Sequence, residues 1–143
     1  MHIKGTPQTM QDNPDYDNVV SEVLESLHVS AEHAKQAGIR QDKIILDPGI
    51  DFGKTNEYNL KLLGHLKQFV EIGYPILLGT SRKKFLNSIV ATEKPEELAL
   101  ATSVTTGLAV MAGVKILRVH DVKENRQALD IAWAIKQAAI DSE

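Results

Sequence analysis

Apolar residues recur along this 143-residue chain in two rhythms. One is the three-to-four-residue spacing of an amphipathic helix, and the other is the short unbroken run of a covered strand. Residues 1–13 (MHIKGTPQTMQDN) carry neither and are rich in turn formers, which predicts a loop. Asn13-Pro14 then reads as a helix start. Val19, Val20, Val23, Leu24, Leu27, Ala31 and Ala34 follow at helical spacing, with Gly38 as the stop. Residues 43–47 are a short apolar run, predicted as a first strand. Leu60, Leu63, Leu66, Phe69 and Val70 predict a helix over 59–70 that Gly73 ends. Residues 74–79 (YPILLG) predict a second strand, with Pro75 at its start, where a missing donor is tolerated.

A short helix is expected over 82–90, and a longer one begins near Pro95. Leu98, Ala101, Thr102, Val104, Thr105, Leu108, Ala109 and Ala112 line the longer helix, and Gly113 stops it. Its small residues favour close packing against a neighbour. Residues 114–119 (VKILRV) predict a third strand. The last helix runs over 121–140, with Ala128, Ile131, Ala132, Ile135 and Ala139 expected inward. Strands alternating with helices imply parallel strands and right-handed crossovers. The largely apolar strands suggest a sheet covered on both sides. One α/β domain over 1–143 is therefore expected. Two architectures fit it. A (β/α)8 barrel needs roughly 250 residues, so a barrel cut near its middle would look like this chain. A flat three-stranded sheet with helices on both faces would too.

Composition narrows the partners. A 43% hydrophobic, 24% charged chain suits a soluble globular domain. A net charge of -3 gives no reason to expect nucleic acid or an anionic membrane. The absence of cysteine excludes disulfides and thiolate metal sites, and suits a cytoplasmic location. No apolar run is long enough to span a membrane, and the N-terminus lacks the apolar core of a signal peptide.

The chemistry gathers at the strand ends, where parallel α/β proteins bind ligands. The first strand ends on Asp47, followed by a Pro-Gly turn, Phe52, Gly53 and Lys54. The second ends in Gly79-Thr80-Ser81-Arg82-Lys83-Lys84, and the third in Arg118-Val119-His120-Asp121. Parallel strands bring all three ends to one edge, joined by His2 and Lys4 of the opening loop. An acidic chain thus has a basic edge: Lys54, Arg82, Lys83, Lys84, Arg118 and His120 around Asp47. That set suits an anion such as phosphate or pyrophosphate, and the Gly-Thr-Ser turn at a helix start offers backbone donors as well. Simpler readings stand beside it. Asp47 can cap its own turn, Lys54 and Lys84 can be solvated surface charges, and Ser81 reads as a helix cap with no base paired to it. Arg118 is harder to explain structurally, because it interrupts an apolar strand. His28, His33 and His65 lie on predicted helices and look incidental. No metal-ligand spacing is visible.

Four segments in order carry a resemblance: 1–10 (MHIKGTPQTM), 47–55 (DPGIDFGKT) with Asn59-Leu60, 79–83 (GTSRK) with Phe85, and 118–122 (RVHDV). Together they resemble the dihydropteroate synthases of folate biosynthesis, over essentially the whole chain. The resemblance implies the C-terminal half of a (β/α)8 barrel. It implies condensation of a pterin methyl pyrophosphate with p-aminobenzoate, release of pyrophosphate, and assistance from Mg2+ held in the N-terminal half. By resemblance, Asp47 would bind the pterin's amino edge. Lys83 would donate to the pterin ring and border the p-aminobenzoate pocket, which Phe52 would also line. Arg118 would stack on the pterin and, with His120, hold the pyrophosphate. Gly79 would let the backbone approach the pterin, and Met1 would pack near it. Lys83, Arg118 and His120 are thus the candidate catalytic residues. The family dimerises through late helices that are present here.

Two positions depart from the pattern. Asp51 replaces a usual glycine, and Lys84 stands where many members have serine. Nothing here matches the family's N-terminal half, so this chain alone is expected to be inactive, and associated or partly disordered. The alternatives are a non-catalytic module that binds pterin or anions, or another pterin-binding barrel such as a methyltetrahydrofolate methyltransferase.

Overall fold

A computed structural model describes residues 1–92 and 94–140. Among the described residues, six α-helices accompany a small parallel sheet. They are α1 (Val19–Gln36), α2 (Asn56–Gly64), α3 (Leu66–Val70), α4 (Lys84–Val90), α5 (Ala99–Ala112) and α6 (Val122–Ile140). Strand β1 is Leu77–Leu78 and β2 is Ile116–Leu117, paired in parallel with Leu77 opposite Ile116 and Leu78 opposite Leu117. A third parallel segment adjoins β1 through the single bridge Leu46–Ile76.

The three extended segments lie where the apolar runs predicted them, but their ladders are short, for local reasons. The run at 43–47 begins in a 3-10 turn, Gln41–Lys43. Leu46 N–H donates to Pro75 O, and Leu77 N–H donates to Leu46 O. The ladder then stops, because Pro48 has no donor; the Asp47 carbonyl, which faces away from β1, accepts from His2 N–H at 2.9 Å. On the other side, Ile116 N–H donates to Ile76 O and Arg118 N–H to Leu78 O. The opening segment thus runs along the outer side of the Asp47 tip, where a neighbouring strand would otherwise sit.

Spatial order follows chain order: Leu46, then β1, then β2. Right-handed crossovers in that order place every helix on the same face. Leu46, Ile76 and Leu78 bury on that face with Val23, Leu27, Leu62, Phe69, Phe85 and Leu98. The opposite face, carrying Ile45, Leu77 and Ile116, has no helical cover, and Ile45 is 51% exposed. The expectation of a sheet covered on both sides is therefore wrong. The topology gives one covered and one open face.

Helix boundaries differ from the pattern where caps decide them. α1 starts at Val19, not at Pro14. Asn18 Oδ1 accepts from Val20 and Ser21 N–H, and the Glu22 carboxylate accepts from the Asn18 N–H. Asn13 instead holds a left-handed turn, φ 52°. The helix expected over 59–70 is two helices, broken at His65, whose Nδ1 lies 2.7 Å from Lys61 O. Along α6, Ala132 is buried and Ala128 half-buried, but Ile131, Ile135 and Ala139 are exposed rather than inward. Gly107 of α5 faces Ala132, so the small residues do let α5 and α6 lie close. No described helix is long and apolar enough to cross a membrane.

Asn18→Ala is expected to lower unfolding free energy by about 1 kcal/mol. Pro14→Ala should change it by less than about 0.5 kcal/mol. Urea denaturation of both variants checks the assignment.

Candidate functional site

Side chains alternate across a strand. The register therefore puts Asp47, Gly79 and Arg118 on the open face, directly beyond Ile45, Leu77 and Ile116. A carboxylate, a bare backbone position and a guanidinium share one face at the carboxyl ends of the strands, with Gly79 and Arg118 level with each other and Asp47 level with Leu77 and Ile116. Arg118 lies over Gly79: a Cβ at residue 79 would sit 3.1 Å from an Arg118 Nη. The glycine makes room for the guanidinium itself. Met1 is exposed beside the same tip, because His2 N–H is fastened to Asp47 O.

The loop that carries Asp47 is held from inside. Asp47 Oδ1 accepts from Gly49 N–H at 2.7 Å, so the turn-capping role is real. Lys54, expected as a solvated charge or an anion contact, is only 3% exposed. Its Nζ reaches Gly49 O at 2.8 Å, Phe52 O at 2.9 Å and His2 Nδ1 at 3.0 Å. Three acceptors use the three protons of an ammonium, and no hydrogen is left for a ligand. Burial pulls Lys54 down from its ordinary 10.5 to about 7, a fall that the Asp47 charge opposes. His2, buried against that cation, falls from 6.5 to about 4. The close approach needs glycines. A Cβ on Gly49 (φ +69°) would meet His2 O at 1.9 Å, and one on Gly53 (φ +67°) would meet Lys4 O at 2.6 Å.

Asp51 occupies a left-handed position, φ 68°, and its surroundings compensate. Its N–H donates to Asn59 Oδ1 at 2.9 Å, Asn59 Nδ2 donates to its carboxylate at 2.6 Å, and Lys84 N–H donates to the other carboxylate oxygen. Asn59 is fully buried. The first N–H of α4 is thus taken by Asp51, and the anion-binding helix start expected at this turn is already filled. Burial raises the Asp51 carboxyl, and Lys83 is the first of the neighbours opposing that rise.

Lys83 reaches across the edge. Its Nζ donates to Ile50 O at 2.5 Å and stands 5.1 Å from the Phe52 ring centre. Burial lowers its pKa; Asp51 and Asp47 pull it back up, and Arg118 pushes it further down. Lys83 therefore feels the acid of one tip and the guanidinium of another. Phe52, Lys83, Lys84 and Asp51 line an open cavity of about 640 Å3.

Two other predicted residues have structural tasks. Arg82 forms a two-pronged pair with Asp121, at 2.6 and 3.1 Å, and is not an anion ligand in this arrangement. The Arg82 guanidinium holds the Asp121 carboxyl below its ordinary range. Ser81 is not a helix cap; its Oγ lies 2.9 Å from His120 Nδ1. The basic side chains that remain at the edge are Lys83, Arg118 and the exposed Lys84, with the His120 ring beside them. The sequence placed His2 at this edge and Asn59 beside the loop motif, but missed their bonds to Lys54 and Asp51 and the Ser81–His120 pair. Asn59 carried a signal in its place beside the loop motif, whereas the burial of His2 had none.

An open edge of this kind, with one acid among several basic side chains and an aromatic wall, stands at the strand ends where parallel α/β proteins bind small molecules. The chain belongs to the family of pterin binding enzymes, whose profile matches residues 1–120. It is 41% identical over 139 residues to the dihydropteroate synthase of Haemophilus influenzae, covering 96% of this chain and 50% of that protein. The crystal structure of Yersinia pestis dihydropteroate synthase with a sulfonamide drug complex superposes with a TM-score of 0.92 at 34% identity. That match covers 96% of this chain and 50% of the other. The Thermus thermophilus dihydropteroate synthase in complex with 6HMPPP gives 0.88 at 39% identity, over 94% and 53%. The same enzyme in complex with 4-aminobenzoate gives 0.85 at 40%, over 90% and 49%. The chain spans about half the length of the relatives it matches.

The His2–Lys54 pair sets a pH dependence. Between about pH 4 and 6.5 the unfolded chain binds a proton at His2 that the folded chain does not. Between about 7 and 10.5 the same holds at Lys54. Stability should therefore rise with pH through both windows. Urea midpoints from pH 4 to 10 check this, and Lys54→Met should abolish the upper slope.

Proposed function

We propose that this chain is the C-terminal half of a dihydropteroate synthase barrel and supplies one wall of its active site. The observation that carries the reading is the grouping of Asp47, Gly79 and Arg118 on the open sheet face, with Lys83 reaching in beside it. The open apolar face also supports the half-barrel over a sheet covered on both sides, because a barrel interior is lined by such strands.

In this reading Asp47 accepts from the amino edge of a pterin. Arg118 lays its guanidinium against the ring, a task its planarity allows and a lysine would not perform. Lys83 donates to the ring and borders the p-aminobenzoate pocket along Phe52. The C–O bond between the pterin methylene and pyrophosphate breaks, and the pyrophosphate departs with the electron pair. The arylamine nitrogen forms the new C–N bond and then loses a proton. Arg118 and His120 stabilise the charge growing on the leaving oxygen, and the pterin spreads the positive charge of the methylene. No protein nucleophile is required.

Among the described residues no group of three His, Asp or Glu side chains could hold a metal ion. These residues do not fit the expected Mg2+, so its ligands are assigned to the part of the enzyme that this chain does not span. A cytoplasmic setting belongs to the same proposal.

Homodimerisation is the second part of the proposal. Leu100, Val104, Leu108, Met111, Ile131 and Ile135 are exposed along α5 and α6, and a groove of about 830 Å3 runs between these helices. Contiguous apolar surface of this kind marks an interaction site, and we assign it to a second copy.

Two measurements test these statements. The 143-residue chain alone should show no steady condensation of pterin pyrophosphate with p-aminobenzoate, and a supplied N-terminal half should restore turnover. In the restored enzyme, Arg118→Ala should weaken pterin pyrophosphate binding about 10- to 100-fold, and Arg118→Lys should not rescue it. Unaffected binding in both variants would sink the assignment. Separately, Ile131→Glu should shift sedimentation of the chain towards monomer; an unchanged profile would remove α5–α6 as the dimer face.

A further inference from the structure

The Ser81 hydroxyl and the His120 ring form a closed pair across the tips of β1 and β2. Ser81 Oγ lies 2.9 Å from His120 Nδ1 and 3.0 Å from the His120 backbone nitrogen. The backbone N–H can only donate, so Oγ accepts from it. Ser81 is 7% exposed, and its hydroxyl proton also needs an acceptor. Among the described residues Nδ1 is the acceptor in reach. A proton on Nδ1 would aim two N–H groups at Oγ and leave the buried hydroxyl proton unpaired, an unfavourable arrangement. The ring itself is exposed at the edge. Beside it, the Arg82–Asp121 pair clamps the same two tips a second time.

We infer that Ser81 is a positioning residue: it fixes the His120 ring with the neutral-form proton on Nε2, and so presents Nε2–H at the open edge as a donor to an anionic leaving group. The inference rests on the proposed reading of that edge as a pyrophosphate site. The Oγ–Nδ1 bond orients the ring while the Oγ bond to the backbone holds the hydroxyl. Ser81 touches no substrate; it acts through His120.

The full 143-residue chain tests this by long-range proton–nitrogen correlation of its histidine rings, at a pH where the rings are neutral. His120 should show an unprotonated Nδ1 and a protonated Nε2. Ser81→Ala should give mixed tautomers at His120, and Ser81→Thr, which keeps a hydroxyl, should restore the single form. A dominant Nδ1–H form in the unaltered chain would overturn the inference without any variant, as would an unchanged tautomer ratio in a folded Ser81→Ala chain. Inorganic pyrophosphate is then titrated into the same samples by calorimetry. Ser81→Ala should bind it about 3- to 10-fold more weakly, and Ser81→Thr within about twofold of the parent. Equal affinity in parent and Ser81→Ala would overturn the role in anion capture. Should pyrophosphate bind neither while the tautomers behave as expected, the pyrophosphate reading of the edge falls and the Ser81–His120 assignment stands.

Discussion

One buried ammonium holds the ligand-facing edge in shape. Lys54 turns inward and spends its protons on Gly49 O, Phe52 O and His2 Nδ1. Those bonds close the loop after Asp47 and hold the opening segment against it. The position of Asp47, Phe52 and Met1 follows from that closure. A buried charge is costly unless its donors are all satisfied, and the geometry here satisfies them. Two glycines are required because the backbone at His2 and Lys4 passes where a Cβ would stand.

The edge looks uniformly basic in the sequence, but the structure divides its cations by task. Lys54 is internal to a loop. Arg82 is committed to Asp121 and ties the second tip to the third. Asp51 fills the start of α4 and links the first tip to the second. Three loops on three separate strand ends are thereby fastened to one another by side chains whose polar atoms are paired within the chain. Lys83 also takes part in the holding through Ile50 O, while Arg118 and His120 stay exposed at the edge.

Much of the fold was legible in the chain. The helical stripes of α1, α5 and α6 and the order of the extended segments follow from apolar spacing, which is set by local geometry. Strand length was not legible, because it depends on which partner supplies the next hydrogen bond; Pro48, with no donor, ends the ladder that the run 43–47 begins. Nor was the outward turn of Ile131 and Ile135, since a helical stripe shows that a face is apolar without showing what covers it. The candidate site was legible as a set of residues, because Asp47, Lys83 and Arg118 stand at strand ends. Their division from Lys54, Arg82 and Ser81 was not, because pairing partners lie 39 residues away in the cases of Arg82 and Ser81 and 52 in the case of Lys54 and His2.

Arg118 rests on Gly79 as a plank rests on a sill. The missing Cβ sets how low the guanidinium plane can lie, and therefore how much height remains above it for a flat ring. Position 79 is in this sense a depth gauge for the slot. Adding a single methyl there would push the Arg118 guanidinium outward while leaving Asp47 and Lys83 untouched. The height of a charged group is thus governed by a residue that carries no charge and no side chain.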